Sequence, residues 1–371
     1  MLLKNSGVLP LALPARVALV GPNAGCAGSA PSCDASNSQC GGYTNFGVPV
    51  VTALAAGLNA SANGGATVTF SQGCSHGGAD TSGFAAAVAA AAAADVVVFV
   101  GGDSGALGWN KNTCGEDDDR AELELPGVQA DLLDALLGTG KPVVAVLIHG
   151  RPMTFVKHNL LSRLGAVVAA WRPGCEGGNA IWDMLSGRVS PSGRLAQSWV
   201  RRVGQVKSQA SPWYSAIQGD FDQVDYNGDV MATNDSSVSN SWTPAFPFMF
   251  GLSYTTFDVS PINVILQGDT ILSLVNVTNT GRASAKQVVG VFFSKPLSSF
   301  VRNHLSLLAF GKTRELAPGE SQALQLTAPV AGLASYDAQA GQAVVEKGEY
   351  TITVRVDSAT VVNGGTFTIT V

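Results

Sequence analysis

"TSGFAAAVAAAAAADVVVFVGG" (81–102) is the stretch on which the fold turns. Its first part is an Ala-rich run that Thr81 or Ser82 can cap, so the residues predict a helix over 81–94. Its second part, "DVVVFVGG" (95–102), is a continuous Val/Phe run closed by two glycines. An unbroken apolar strand is buried on both faces, and strands of that kind belong to parallel sheets covered by helices.

The same alternation extends in both directions. "RVALVG" (16–21), "PVVAVLIHG" (142–150), "GAVVAAW" (165–171) and "GRLAQSW" (193–199) predict further strands. Helices are expected at 125–138, with Pro126 in the first turn and Gly138 as the stop, and at 176–187. Upstream, "MLLKNSGVLPLALPARVALVG" superficially fits an export signal, but Pro10, Pro14 and Arg16 break its apolar run. It reads instead as two short strands joined by a proline turn.

Downstream, Ser, Gln, Asn and Asp replace the periodic pattern, so 204–250 reads as an irregular connecting segment. After Gly251 the texture is all-β, with strands expected at 270–281, 287–296, 321–330 and 349–357 between Gly/Pro turns. The expected domains are thus an α/β domain over 1–203, the connecting segment, and a small β-sandwich over 251–371.

Composition narrows the function. The 371 residues are too many for one ordinary core, and only 13% are charged. A net charge of −5 offers no basic field for nucleic acid. The longest apolar run, 84–100, is interrupted by Asp95, so no membrane span is expected. Cys26, Cys33, Cys40, Cys74, Cys114 and Cys175 lie in polar loops without C-x-x-C pairs. Three of them close together favour disulfides and an oxidising compartment. Sequons at Asn59, Asn234 and Asn276 are compatible with secretion.

"NTCGEDDDRAELELPG" (112–127) is the chemically unusual stretch, with four carboxylates, Glu116 to Asp119, followed by Arg120. It lies beyond the carboxyl end of strand 95–102, where open parallel sheets place functional loops. Crowded carboxylates disfavour one another's ionisation, which raises the pKa of one toward general-acid use. Arg120 would hold a neighbour ionised; the residues alone leave open which carboxylate is the acid. "VALVGPNAGCAG" lacks G-x-G-x-x-G, and Ser104 and Ser253 lack a G-x-S-x-G elbow. No metal-ligand spacing is present, and no cofactor is expected. His149 reads as structural, and Trp171, Trp182 and Trp199 read as packing.

"FPFMFGLSYTTF" (246–257), "LLKNSGVLPL" (2–11), "VALVGPNA" (17–24) and "SGRVSPSGRLAQSW" (186–199) closely resemble signatures of glycoside hydrolase family 3. "VNVTNTG" (275–281), "LLAFGKTRELAPGES" (307–321) and "KGEYTITV" (347–354) resemble the fibronectin type III-like domain of that family. The likeness covers nearly the whole chain. It implies an α/β sandwich followed by a fibronectin type III-like sandwich, in a secreted retaining β-glycosidase. "QCGGYTNFGVPVVTALAAG" (39–57) and "SQGC" (71–74) look most like the β-xylosidase branch and imply a Cys40–Cys74 bridge.

Family members carry E-x-x-D-R in this loop, with its glutamate as acid/base. The resemblance therefore makes Glu116 the catalytic candidate, with Asp119, Arg120 and the loop aromatic Trp109 contacting an oligosaccharide. It also implies a preceding (β/α)₈ barrel that carries the nucleophile. The chain opens on the segment that follows the barrel, so the isolated polypeptide is expected to be incomplete and inactive. The rival expectations are a non-catalytic carbohydrate-binding module and a partner for a separate barrel.

Overall fold

The computed structural model describes residues 1–13, 15–25, 67–105, 113–114, 120–174, 176–206, 244–300 and 302–371. They form two compact units, 1–191 and 192–371.

In the first unit the chain runs through β1 (Leu2–Asn5), β2 (Arg16–Val20), β3 (Thr67–Ser71), α1 (Phe84–Ala93), β4 (Val96–Gly102), α2 (Gln129–Leu137), β5 (Val143–Ile148), the short α3 (Leu160–Arg163), β6 (Ala166–Trp171) and α4 (Gly177–Leu185). One six-stranded sheet collects the strands in the order β1-β6-β5-β4-β2-β3. β3, β2, β4, β5 and β6 pair in parallel, and β1 alone lies antiparallel, on the edge of β6. Every residue of β4 and β5 is buried, as the unbroken apolar runs require. The α/β sandwich with a mostly parallel sheet is therefore present.

Two local expectations are corrected. α1 is capped by Gly83, without a side-chain hydrogen bond, and not by Thr81 or Ser82. A side chain at 83 would run into the Gly73 carbonyl oxygen, so close packing on the loop after β3 sets the helix start. The segment 193–199 is no strand of the sheet. Its Leu195 and Trp199 are buried in the second unit, where Trp199 bridges Phe246 and the two rings meet edge-on at 6.4 Å. The packing boundary thus falls at 191/192, ahead of residue 203. Trp182 and Trp199 are core residues, 3% and 0% exposed.

The second unit holds β7 (Phe257–Gln267), β8 (Thr270–Asn279), β9 (Val288–Ser294), β10 (Ser306–Lys312), β11 (Ser321–Pro329), the hairpin strands β12 (Ser335–Asp337) and β13 (Gln342–Val344), β14 (Glu349–Arg355) and β15 (Val361–Thr370). Sheets β10-β9-β14-β15 and β11-β8-β7, both antiparallel, enclose a core that includes Val275, Val277, Val291, Leu326, Tyr350 and Ile352. The alternation of buried and exposed residues along β8 and β11 is the period-2 pattern of a sheet wet on one face.

Candidate active-site frame at the carboxyl edge of the sheet

Because β4, β5 and β6 run parallel, their carboxyl ends open on one edge, and each strand delivers a polar residue there. Asp103 follows β4, His149 and Arg151 follow β5, and Arg172 follows β6. Gly102 makes the first of these exits possible. Its φ of +131° disfavours any side chain, and a Cβ there would run into the Ile148 carbonyl oxygen. The turn lets the Asp103 amide donate to the same Ile148 oxygen at 2.8 Å.

Gln129, the first residue of α2 and fully buried, clamps this exit. Its Oε1 accepts the Gly102 amide at 2.8 Å, and its Nε2 donates to the carbonyls of Gly102 at 2.9 Å and His76 at 2.8 Å. One side chain thereby ties the end of β4 to the loop after β3.

Asp103 is 0% exposed and is ringed by cations. Arg120 Nη1 lies 3.4 Å from Oδ1, Arg151 Nε lies 3.9 Å from Oδ2, and the Thr113 hydroxyl donates to Oδ1 at 3.4 Å. Burial pushes the Asp103 carboxyl up, while Arg151, Arg120, Arg172 and the Gly150 amide pull it back. Arg172 Nη2 also donates to the Cys114 sulfur. That thiol is pushed up, chiefly by burial and then by the nearby Asp103 charge.

Arg120 is held a second time, donating from Nη2 to the Glu124 carbonyl at 3.0 Å. Glu124 Oε1 in turn accepts from the Thr154 hydroxyl at 2.6 Å and the Val156 amide at 3.0 Å. The guanidinium is therefore fixed in place at the sheet edge. Asp103 has no exposed surface, so in this arrangement its carboxylate faces its arginines and not a ligand.

His149 is structural, as expected. It is fully buried, its Nδ1 pairs with the Arg151 carbonyl at 2.7 Å, and its ring lies 4.5 Å from that of Trp171. A carbonyl only accepts, so Nδ1 carries the proton.

Of the expected site residues, Arg120 is in this cluster, whereas Trp109, Glu116 and Asp119 lie outside the described residues. Cys74 and Cys114 are free, buried thiols, with Cys74 pushed up to about 12 by burial. Cys40, the other half of the implied Cys40–Cys74 bridge, lies outside the described residues. Sequence reading missed Asp103, Arg151 and Arg172. The signal was there: each is the first or second charged residue beyond the carboxyl end of a strand that had been located. Among the described residues, no group of three His, Cys, Asp or Glu side chains is placed to hold a metal ion.

The ionic frame sets an expected stability loss. Removing the carboxylate in Asp103→Ala takes a buried counter-charge away from Arg120 and Arg151. Unpairing a buried ion pair costs about 3–5 kcal/mol, and because Arg120 and Arg151 retain some solvent, about 3 kcal/mol is expected. Urea unfolding of the chain, followed by a probe in the first unit, measures it; a loss under about 1 kcal/mol sinks the ionic account.

Acid should destabilise the same unit. Burial holds His76 and His149 neutral, with pKa values lowered to about 4 and about 3. Below the ordinary histidine value of about 6.5 the unfolded chain takes up protons that the folded chain refuses. Stability should therefore fall as pH drops from about 6.5, by up to about 1.4 kcal/mol per pH unit for each histidine. Asp103, pushed up, works in the opposite sense above the ordinary carboxylate range, so the slope is best read just below pH 6.5. The urea midpoint against pH is the observable, and His149→Phe should flatten it.

Comparison with known proteins places these features in context. A family model described as "Glycosyl hydrolase family 3 C-terminal domain" matches residues 1–254, and one described as "Fibronectin type III-like domain" matches 287–358. A β-xylosidase of Formosa agariphila is 32% identical over 96% of this chain and 47% of its own length. A periplasmic β-glucosidase of Salmonella typhimurium is 33% identical over 75% of this chain and 35% of its own. Among solved structures, a β-glucosidase from Erythrobacter marinus superposes with a TM-score of 0.79 at 31% identity, covering 100% of this chain and 48% of that one. A mutant β-glucosidase from Listeria innocua in complex with laminaribiose gives 0.80 at 26%, covering 100% and 47%. The chain spans about half the length, or less, of the curated relatives it matches.

Proposed function

The chain belongs to glycosyl hydrolase family 3, and from that premise we propose that it works as the C-terminal half of a secreted retaining β-glycosidase, a β-xylosidase acting on xylan-derived oligosaccharides. The observation that carries the catalytic part is the double anchoring of Arg120, by Asp103 and by the Glu124 carbonyl. Arg120 ends the run Glu116–Arg120, whose likeness to the E-x-x-D-R of the family supports Glu116 as the acid/base. In this reading Glu116 protonates the leaving glycosidic oxygen and later takes a proton from the attacking water. Asp119, Arg120 and Trp109 contact the sugar.

Retaining hydrolysis needs a second carboxyl group about 5 Å from the first, on the other side of the scissile bond. Neighbouring carboxylates on one loop do not flank a sugar ring from opposite sides. The nucleophile is accordingly assigned to a barrel domain outside this chain, and the chain's natural partner is that barrel. Extracellular placement, with an export signal outside this chain, belongs to the same proposal.

Xyloside preference is favoured by the span of the sequence matches, even though solved β-glucosidases superpose over the whole chain. The Formosa agariphila β-xylosidase and a probable exo-1,4-β-xylosidase of Aspergillus fumigatus match 96% of the chain, against 75% for the Salmonella typhimurium β-glucosidase. The test is kcat/KM for an aryl β-D-xyloside against the matching β-D-glucoside, measured on the chain joined to its barrel. At least about tenfold xyloside preference is expected, since a glucoside must place one extra CH₂OH group. A glucoside preference of the same size would assign the chain to the β-glucosidases.

A further inference from the structure

The outer face of sheet β11-β8-β7 carries a feature that glycoside hydrolysis does not use. Asp258 is the single charged residue in these three strands. Ordinary protein surfaces are about 25–35% charged, so a wet sheet face this poor in charge is an association hazard. It is also partly apolar. Leu272 pairs with Ile265, which is 39% exposed, and Leu274 lies beside them on the outward register of β8.

In the middle of that face stands the triplet Asn276–Val277–Thr278. Val277 is fully buried in the sandwich core, so Asn276 and Thr278 both point outward. The cross-strand neighbours of Asn276 are Ser260 on β7 and Ala323 on β11. Both are short, and Asn276 itself is partly exposed. Its one hydrogen bond in the structure is a 3.4 Å contact from Nδ2 to the Thr278 hydroxyl, at the weak end of the range.

We propose that Asn276 is an N-glycosylation site whose glycan covers the charge-poor outer face of sheet β11-β8-β7. The transfer takes an oligosaccharide from a polyprenyl-diphosphate carrier to the chain before it folds. Nδ2 attacks the anomeric carbon, the bond from that carbon to the diphosphate oxygen breaks, Nδ2 gives up one proton, and the lipid diphosphate leaves. After folding, the inner sugars lie beside Leu274 and Leu272, where the C–H faces of pyranose rings meet apolar side chains. The bulky hydrophilic glycan supplies the solubility that charge supplies elsewhere. The inference rests on the extracellular placement proposed above.

The experiment is to express the full chain behind a eukaryotic leader peptide and recover it from both the medium and the microsomal fraction. The Asn276 peptide is then analysed by mass spectrometry with and without peptide N-glycosidase. Occupancy in the majority of molecules is expected, with conversion of Asn276 to aspartate on enzyme treatment. Asn276→Gln and Thr278→Ala should each remove the same glycan, read as one equal mobility step. An unmodified Asn276 in either fraction overturns the proposal, whatever the state of Asn59 and Asn234. The added leader separates this result from the native export question. Failure of the extracellular reading would show as native protein confined to the cytosol of its source, with Asn276 still modified in this assay.

Discussion

Purified alone, the 371-residue chain should release xylose from an aryl β-xyloside no faster than buffer does, and it should gain turnover when refolded or co-expressed with a family 3 barrel. The expectation follows from the proposed assignment of the nucleophile to the barrel. One carboxylic acid supplies proton transfer, worth about 10²–10⁴ in rate, but without a nucleophile on the far face no glycosyl-enzyme intermediate forms. Complementation should therefore be all or nothing in practical terms. Robust turnover by the isolated chain would mean that the acidic run and the edge of the sheet supply both groups, and the two-part assignment would fall. Sugar affinity in the absence of the barrel, with no turnover in its presence, would instead favour a binding module.

Within the complemented enzyme, Glu116→Gln should lower kcat/KM for xylobiose by about 10²–10⁴, the usual contribution of a general acid. Substrates with good leaving groups should lose far less in the first step, because departure of an activated phenolate needs little protonation. Their slow step becomes hydrolysis of the glycosyl-enzyme, and added azide should restore turnover there as an anionic nucleophile that needs no general base. Asp117→Asn and Asp118→Asn serve as internal controls, expected within about tenfold of the parent. If one of them shows the large loss and the azide rescue while Glu116→Gln does not, the acid/base role moves to that position. Arg120→Met should lower kcat/KM by removing the proposed sugar contact and the pairing with Asp103, without azide rescue, because Arg120 transfers no proton.

Local sequence was sufficient wherever burial on both faces fixed the answer. β4 and β5 sit within a residue or two of the expected strands, because a Val/Phe/Leu run of that length has no stable exposed alternative. The β-sandwich strands β8, β11 and β14 were legible from alternation between turn residues, and β9 from its continuous apolar run. β3 was not recognised, although "TVTFS" alternates polar and apolar residues; at five residues, none of them fully buried, the pattern is short and weak. The segment 193–199 was misassigned for a related reason. Its apolar residues Leu195 and Trp199 are buried, but sequence does not say what they pair with, and their backbones bond to Met249, Phe250 and Phe246 instead of joining the parallel ladder.

The site divides along the same line. The family signatures are properties of contiguous residues, so the amino-acid sequence by itself determined the family and the α/β-then-β architecture, whereas Glu116 is set apart from its carboxylate neighbours only by the resemblance. The ionic frame is not contiguous. Asp103, Arg120, Arg151 and Arg172 come from the ends of different strands and loops. Only the parallel pairing of β4 with β5 and of β5 with β6 brings those ends to one edge. Their charge states depend on that meeting too, because burial raises the Asp103 carboxyl and the arginines lower it only once they are within a few ångströms.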